Sequence, residues 1–432
     1  MTAIVPTLVL LHAGIAPPLD LGADGVAVNT LRVDDLDPVL STLPGMARDA
    51  ISRLPVDARG AGYALIGLGT RASVFAQALA LELLGRDRRV ACVAAVPDAA
   101  LPVDTRAAVD DDRLAAACAV WTPPEPTMLA VRQCPVATPD VAGWIARTAS
   151  DSPMSPPPPA VMALPLKIGG PLRAPIVCIP GAGASVVGLL DLAQAAHPQA
   201  TVYGMQPRGI DGVAPPCTSV ETVAEVIVAQ IAKLIPQGPL RLVGHSFGGW
   251  IAFETALRLR AAGRTIVSLD LLDSRTPGTD HDLCESDELA VLLHWVALTE
   301  LSAERPLGIG AGMLGPLPAS ARVRLVHQRM SEAGLLPSRS DPASILGALR
   351  MFAACMRTRY VPAGRYDGPL RVVHLRDPSL DAEGNDREAL EMQVGWSRHA
   401  LRVQLLCAEG NHMTGIRGEH ARALAERLGL SA

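Results

Sequence analysis

The sequence predicts an α/β protein: a mainly parallel sheet covered by helices on both faces, preceded by a smaller α/β domain. Three observations carry this. From residue 174 onward, short apolar runs of strand length alternate with segments whose apolar residues recur at helical spacing. A proline-rich stretch, ASDSPMSPPPPAVMALP at about 149–165, interrupts the chain and marks a boundary. The chain has 432 residues, 49% of them apolar, which suits two or three cores. With only 3% aromatics, those cores must be mostly Ala, Leu and Val.

The same totals exclude several classes. A formal net charge of −5 gives no sign of nucleic-acid or anionic-membrane binding. The 8 cysteines are scattered without a CxxC pair, which argues for reduced thiols in a cytoplasmic protein and against a disulfide framework or metal site. MTAIVPTLVLLHAG lacks a basic leader, so it reads as a buried strand and not a signal peptide. No apolar stretch is long enough to span a bilayer.

Domain boundaries follow from the prolines. Residues 1–148 form one domain, 149–163 a linker in which Pro156 to Pro159 favour a semi-rigid extended conformation, and 164–432 a second domain. In the second domain APIVCIPGAGAS (174–185) opens with a strand buried on both faces, and ATVYGMQPRG (200–209) contains another. SVETVAEVIVAQIAKLI (219–235) is a helix capped by Ser219 or Thr222. RLVG (241–244) is a strand, WIAFETALRLRAAG (250–263) a helix ended by Gly263, and TIVSLDLLD (265–273) the next strand. From about 285 to 358 the pattern is almost wholly helical and interrupts the alternation. GPLRVVHLRD (368–377) and ALRVQLLCAEG (400–410) then restore it, and EHARALAERLGL (419–430) is the last helix.

Between the strand at 241–244 and the following helix stands Gly-His-Ser-Phe-Gly, 244–248. A strand, then Gly-x-Ser-x-Gly, then a helix is the setting of a nucleophile elbow, where a strained turn lifts the serine hydroxyl above the sheet. Gly244 and Gly248 leave room for the turn, and the helix N-terminus favours developing negative charge beside Ser246. A serine needs a base to take its proton. In an α/β-hydrolase the chain order is serine, acid, histidine. His412 lies in a Gly/Asn-rich loop directly after a strand, at the edge where open α/β sheets place their sites; His399 precedes that strand, and His420 lies in the last helix. Asp273 and Asp377 both end strands and either could orient the histidine; Asp273 is preferred, with Asp377 the alternative, and Asp270 is structural. The oxyanion hole is expected at the backbone N–H groups of Phe247 and Ala182. The Gly-rich loop 181–185 lacks the Lys-Ser/Thr of a phosphate-binding loop and matches GxGxxG poorly, so nucleotide binding is not expected.

Residues 164–432 resemble the thioesterase domains that release products from nonribosomal peptide and polyketide synthases. The resemblance lies in LPLKIGGPLRAPIVCIPGAGA, VYGMQPRGIDG, LVGHSFGGWIAFETALRLRAAGR, VSLDLLDSRTP, YDGPLRVVHLRDP, VGWSRHA and AEGNHMTGI, in that order. It implies an α/β-hydrolase fold with a helical lid at about 285–358, whose Leu, Met and Trp residues could face substrate. It also implies an acyl, peptidyl or polyketide chain delivered as a phosphopantetheine thioester by a carrier protein, with no cofactor bound by the chain itself. Ser246 would form an acyl-enzyme with His412 as base, resolved by hydrolysis or cyclisation. In that family the releasing type carries its acid at the position of Asp273, while stand-alone editing enzymes more often use the position of Asp377. No Asp-Ser-Leu carrier attachment motif occurs, so the carrier is expected on another polypeptide or another portion of a synthase.

The N-terminal domain reads as a shortened, degenerate copy. LIGLGTRASVFAQALALELLGR (65–86) lines up with LVGHSFGGWIAFETALRLRAAGR with one gap, and TLVLLHAG (7–14) parallels PIVCIPGAG. MLAVRQCPVATPDVAGWIARTA (128–149) is similar in pattern to the strands and helix near 370–400. Gly69 falls at the nucleophile position, Pro97 with Asp98 near the acid, and no histidine follows His12 until His197, so no triad is expected there. Two other functions compete with carrier-dependent release: a carboxylesterase acting on free small esters, and a non-catalytic scaffold, which fits only the N-terminal part.

Overall fold

The structure, a computed structural model, describes residues 6–13, 28–36, 42–55, 62–86, 88–101, 112–120, 129–138, 140–150, 161–170, 173–278 and 288–431. The chain divides into two compact units, 1–158 and 159–432. The prolines expected to extend the linker, Pro156 to Pro159, lie outside the described residues.

In the first unit the strands are β1 (Thr7–His12), β2 (Val28–Arg32), β3 (Tyr63–Leu68), β4 (Val90–Val96) and β5 (Val131–Gln133), and the helices are α1 (Leu43–Arg53), α2 (Thr70–Gly85), α3 (Asp112–Val120) and α4 (Val141–Ser150). The strands form one parallel sheet in the order β2-β1-β3-β4-β5. Every residue of β3 is buried, as a central strand with helices on both faces requires. Phe75 and Leu79 of α2 and Met46 of α1 fill one face, and Ile145 of α4 contributes to the other.

The second unit holds β6 (Val161–Lys167), β7 (Ile176–Ile179), β8 (Val202–Pro207), β9 (Leu240–His245), β10 (Ile266–Leu272), β11 (Leu370–Leu375) and β12 (Val403–Ala408). Its sheet order is β12-β11-β10-β9-β7-β8-β6. All neighbours are parallel except β6, which joins the edge antiparallel to β8. The helices are α5 (Leu190–Ala195), α6 (Val220–Leu234), α7 (Phe247–Ala261), the lid helices α8 (Glu288–Ala303), α9 (Ala311–Leu314), α10 (Ala319–Glu332) and α11 (Leu346–Met356), then α12 (Ala382–Ser397) and α13 (Gly418–Arg427). One face of the sheet packs under α6, α7 and Trp396 of α12, and the other under α5 and α13. The lid has its own small core, including Leu292, Val296, Leu314, Val326 and Met330. Among the described residues no helix is long and apolar enough to cross a membrane.

β6 opens at Val161, inside the stretch 149–163 expected to be linker. Val161 is buried, its carbonyl accepts from Gln230 Nε2, and Gln230 Oε1 accepts from the Ala163 N–H. Those bonds come from a helix 67 and 69 positions away, so local composition could not show them. Ser219, not Thr222, caps α6: its Oγ accepts the Thr222 N–H. Asp270 is structural, as expected, and fully buried between β10 and β11. It accepts two hydrogen bonds from the Arg371 guanidinium, at 2.5 and 2.8 Å, and one from Ser268 at 3.0 Å.

Without β6 and β12 the second sheet reads β8-β7-β9-β10-β11, which repeats the first sheet strand for strand. Gly69 stands between β3 and α2 as Ser246 stands between β9 and α7, each as the residue just before its helix.

Candidate active site

The parallel strands of the second unit end along one edge of the sheet, and the loops leaving that edge bring the expected residues together. Ser246 follows β9 directly, with φ 54° and ψ −126°, outside the conformations that side-chain-bearing residues ordinarily adopt. Its N–H donates to Leu272 O at 2.8 Å, which fixes the turn against β10. Gly244 is required there, because a Cβ would run into the backbone of Gly248 and Gly249. The N–H of Phe247 is the first of α7 and has no partner within the helix. Across from it the loop after β7 passes close: a Cβ on Gly181 would stand 3.2 Å from Ser246 Cβ.

Asp273 comes one residue after β10 and also has a left-handed backbone, φ 47°. Its N–H donates to Val373 O at 2.7 Å, and its Oδ1 accepts the Leu375 N–H at 3.2 Å. Two indoles pin the residues that follow: Trp396 Nε1 donates to Ser274 O and Trp250 Nε1 to Arg275 O, each at 2.7 Å. Asp273 Oδ2 lies 2.7 Å from His412 Nδ1. Burial opposes the charge on Asp273, but the two imidazoles beside it, His374 and His412, outweigh that and hold the carboxyl well below the usual range. Ionised, Asp273 can only accept, so His412 Nδ1 carries the hydrogen and leaves Nε2 as the basic nitrogen.

Ser246, Asp273, His412, Phe247 and Ala182 all line one cavity of about 850 Å³. Among the described residues, no hydrogen bond joins Ser246 Oγ to the His412 ring, whose Nδ1 is held by Asp273. Asp377 lines the cavity too, but its Oδ1 accepts from Ser379, through both N–H and hydroxyl, and among the described residues it makes no bond to His412. Trp295, Leu298, Leu301 and Met356 of the lid face the same space. His399 lies outside this lining, packed beside Phe253 and Trp396, and His420 is exposed.

Two histidines at or beside the site were not singled out from the sequence. His245 is 3% exposed, its ring centroid is 4.9 Å from that of His412, and its Nε2 lies 2.8 Å from His412 O. A carbonyl only accepts, so Nε2 donates. Burial above all, and then the charge of a protonated His412, push its pKa down to about 3, so it stays neutral. His374 approaches Asp273 from β11. The available signal for both was their place at the end of an apolar strand, which marks them as buried at the site edge.

A family model described as "Thioesterase domain" matches residues 174–429. The chain is 37% identical to malpibaldin synthetase of Mortierella alpina over 110 residues, which are 26% of this chain and 2% of that protein. It is 25% identical to chondramide synthase cmdD of Chondromyces crocatus over 287 residues, 62% of this chain and 7% of that one. The chain thus spans a small fraction of the length of both relatives. Among solved structures it resembles a four-domain nonribosomal peptide synthetase, holo-AB3403, bound to AMP and glycine, with a TM-score of 0.54 and 22% identity over 66% of this chain and 21% of that one. That likeness speaks to the fold alone.

Proposed function

Because the chain belongs to the thioesterase domain family, we propose that its second unit releases an acyl, peptidyl or polyketide chain from the phosphopantetheine arm of a carrier protein through an ester on Ser246. The observation that carries this reading is the 2.7 Å Asp273–His412 bond beside the Ser246 turn, all facing one cavity. His412 Nε2 takes the Ser246 hydroxyl proton as Oγ attacks the thioester carbonyl. The N–H groups of Phe247 and Ala182 receive the oxyanion. The C–S bond then breaks, and His412 returns the proton to the departing thiolate. A water, or a hydroxyl or amine of the chain itself, gives its proton to His412 and attacks the ester, which frees Ser246 with its proton restored.

Pairing of His412 with Asp273, and not with Asp377, supports a releasing enzyme over a stand-alone editing one. The matching relatives are synthetases, which supports a carrier as partner. The N-terminal domain, residues 1–148 within the first unit, is proposed as a non-catalytic, truncated copy of the second. Its support is the shared strand order and Gly69 in the place of the nucleophile.

A panel of acyl-pantetheine thioesters set against the matching free oxygen esters tests the reading, with products identified by mass. Thioesters carrying a pantetheine arm should turn over at least tenfold faster in kcat/KM, about 1.4 kcal/mol of extra transition-state binding. Equal or better turnover of free esters would make the chain a carboxylesterase.

A further inference from the structure

The Asp273 carboxylate has a second imidazole on its other oxygen, and the acyl transfer proposed above gives that ring no task. His374 lies on β11, its side chain 4% exposed, with Nδ1 3.7 Å from Asp273 Oδ1. His412 Nδ1 meets Oδ2 of the same carboxylate at 2.7 Å.

The far side of the His374 ring fixes its tautomer. Asn385 of α12 donates its amide hydrogens to Asp377 O, Leu380 O and Asp381 O, at 3.1, 3.2 and 2.9 Å. Its Oδ1 accepts the Asp377 N–H at 2.7 Å. The amide can therefore point only one way, and His374 Nε2, 3.2 Å from that Oδ1, must carry a hydrogen. A neutral His374 then turns a bare Nδ1 lone pair on an ionised carboxylate. A proton on Nδ1 converts that repulsion into attraction.

The other groups around the ring act as follows. Glu388, on α12, favours the proton, although it is itself paired with Arg275 at 3.0 Å. β12 places Cys407, an exposed thiol, opposite His374 in register, and partial desolvation raises it further above the ordinary thiol value. His412 competes, since it draws on the same carboxylate. Asp273 contributes most to raising His374 above the ordinary histidine value, against the effect of burial.

We propose that His374 is a positioning residue of the acyl-transfer site: a proton held on its Nδ1 divides the charge of Asp273 between two imidazoles and so sets the basicity of His412. The proton comes from solvent and returns to it. While it is bound, an imidazolium on His412 finds a carboxylate already half engaged, and acylation is slower. When pH rises and His374 gives its proton up, Asp273 turns wholly to His412. This rests on His412 being the base for Ser246.

Two measurements on the full chain test it. In side-chain ¹⁵N NMR of histidine-labelled protein, the wild type should show two coupled titrations on the Asp273 pair. In His374→Gln the second, coupled step should disappear from the His412 signal. The acid limb of log kcat/KM against pH, with an acyl-pantetheine thioester, should be steeper than one ionisation in the wild type. In the variant it should fall to unit slope with its midpoint moved down, because in the wild type a proton on either ring slows acylation. A merely structural His374 would lower kcat equally at every pH without moving the midpoint, and that result overturns the proposal. So does a wild-type NMR titration in which His374 stays a neutral Nε2–H ring from about pH 5 to 9, a range that brackets the ordinary histidine value; this decides even if the variant fails to fold. The NMR needs no substrate, so a Ser246 that never acylates would leave the titration result standing, and the two readings fail separately.

Discussion

Ser246 at φ 54° and Asp273 at φ 47° both hold left-handed backbone conformations while facing the cavity. Such positions cost about 1–3 kcal/mol each and are held only by the surrounding structure. The strain and the proposed chemistry therefore sit on the same atoms. Ser246→Gly should abolish acylation and also raise the melting temperature in calorimetry; a lower one would show that the turn is not strained. Asp273→Asn should lower kcat by on the order of 10⁴-fold, because the histidine loses its tautomer and its counter-charge, while Asp377→Asn should stay within a few fold of wild type. The reverse ranking would return the role of acid to Asp377. His245 adds a pH dependence of stability. Its pKa falls from 6.5 to about 3 on folding, so between those values the unfolded chain binds more protons. Its contribution is complete above about pH 6.5 and is lost as pH falls toward 3. His245→Gln should flatten the fall of urea-unfolding free energy across that window, and an unchanged slope would contradict it.

At the scale of elements, the strand–turn–helix around Ser246 was legible because it is local: five residues, one strand and one helix specify it. The sequence preferred Asp273 but left Asp377 open, since both follow strands; the fold shows that Asp377 turns to Ser379. His374 was illegible for a related reason: its place beside Asp273 follows from the pairing of β10 with β11, across 101 residues of chain. The lid was visible as an interruption of the alternation, but its attachments were not. Asn411 Nδ2 donates to Leu301 O at 3.2 Å, and Arg417 to Ser302 Oγ at 2.7 Å, which ties the loop carrying His412 to the C-terminal end of α8. That helix also presents Trp295 to the cavity. Trp295→Ala should lower kcat/KM more for long acyl chains than for acetyl, with a difference of about 2–3 kcal/mol in transition-state binding. An equal loss for all chain lengths would place the indole outside the acyl pocket.

Across the whole molecule the same five-strand order appears twice, once with a serine at the turn and once with Gly69. In the first unit Asp98 accepts from both the N–H and the hydroxyl of Thr70, at 3.1 and 2.6 Å, and so caps the start of α2. Gly69→Ser should therefore gain no fluorophosphonate label: the acid position serves as a cap, and the sequence offers no histidine between His12 and His197. Each unit has its own hydrophobic core. Removing residues 1–150 should leave kcat on a small acyl-pantetheine thioester unchanged. Any loss should appear only in kcat/KM with a full carrier protein, which would mark the first unit as a docking element.

The central claim is that Ser246 carries the acyl chain between donor and product. The direct test is intact-protein and peptide mass spectrometry after rapid quenching of a reaction with an acyl-pantetheine thioester. The account predicts one acyl group on the peptide containing Ser246, formed no slower than product, and none in Ser246→Ala. Product formation at the wild-type rate by Ser246→Ala, or an acyl group on another residue, would contradict it.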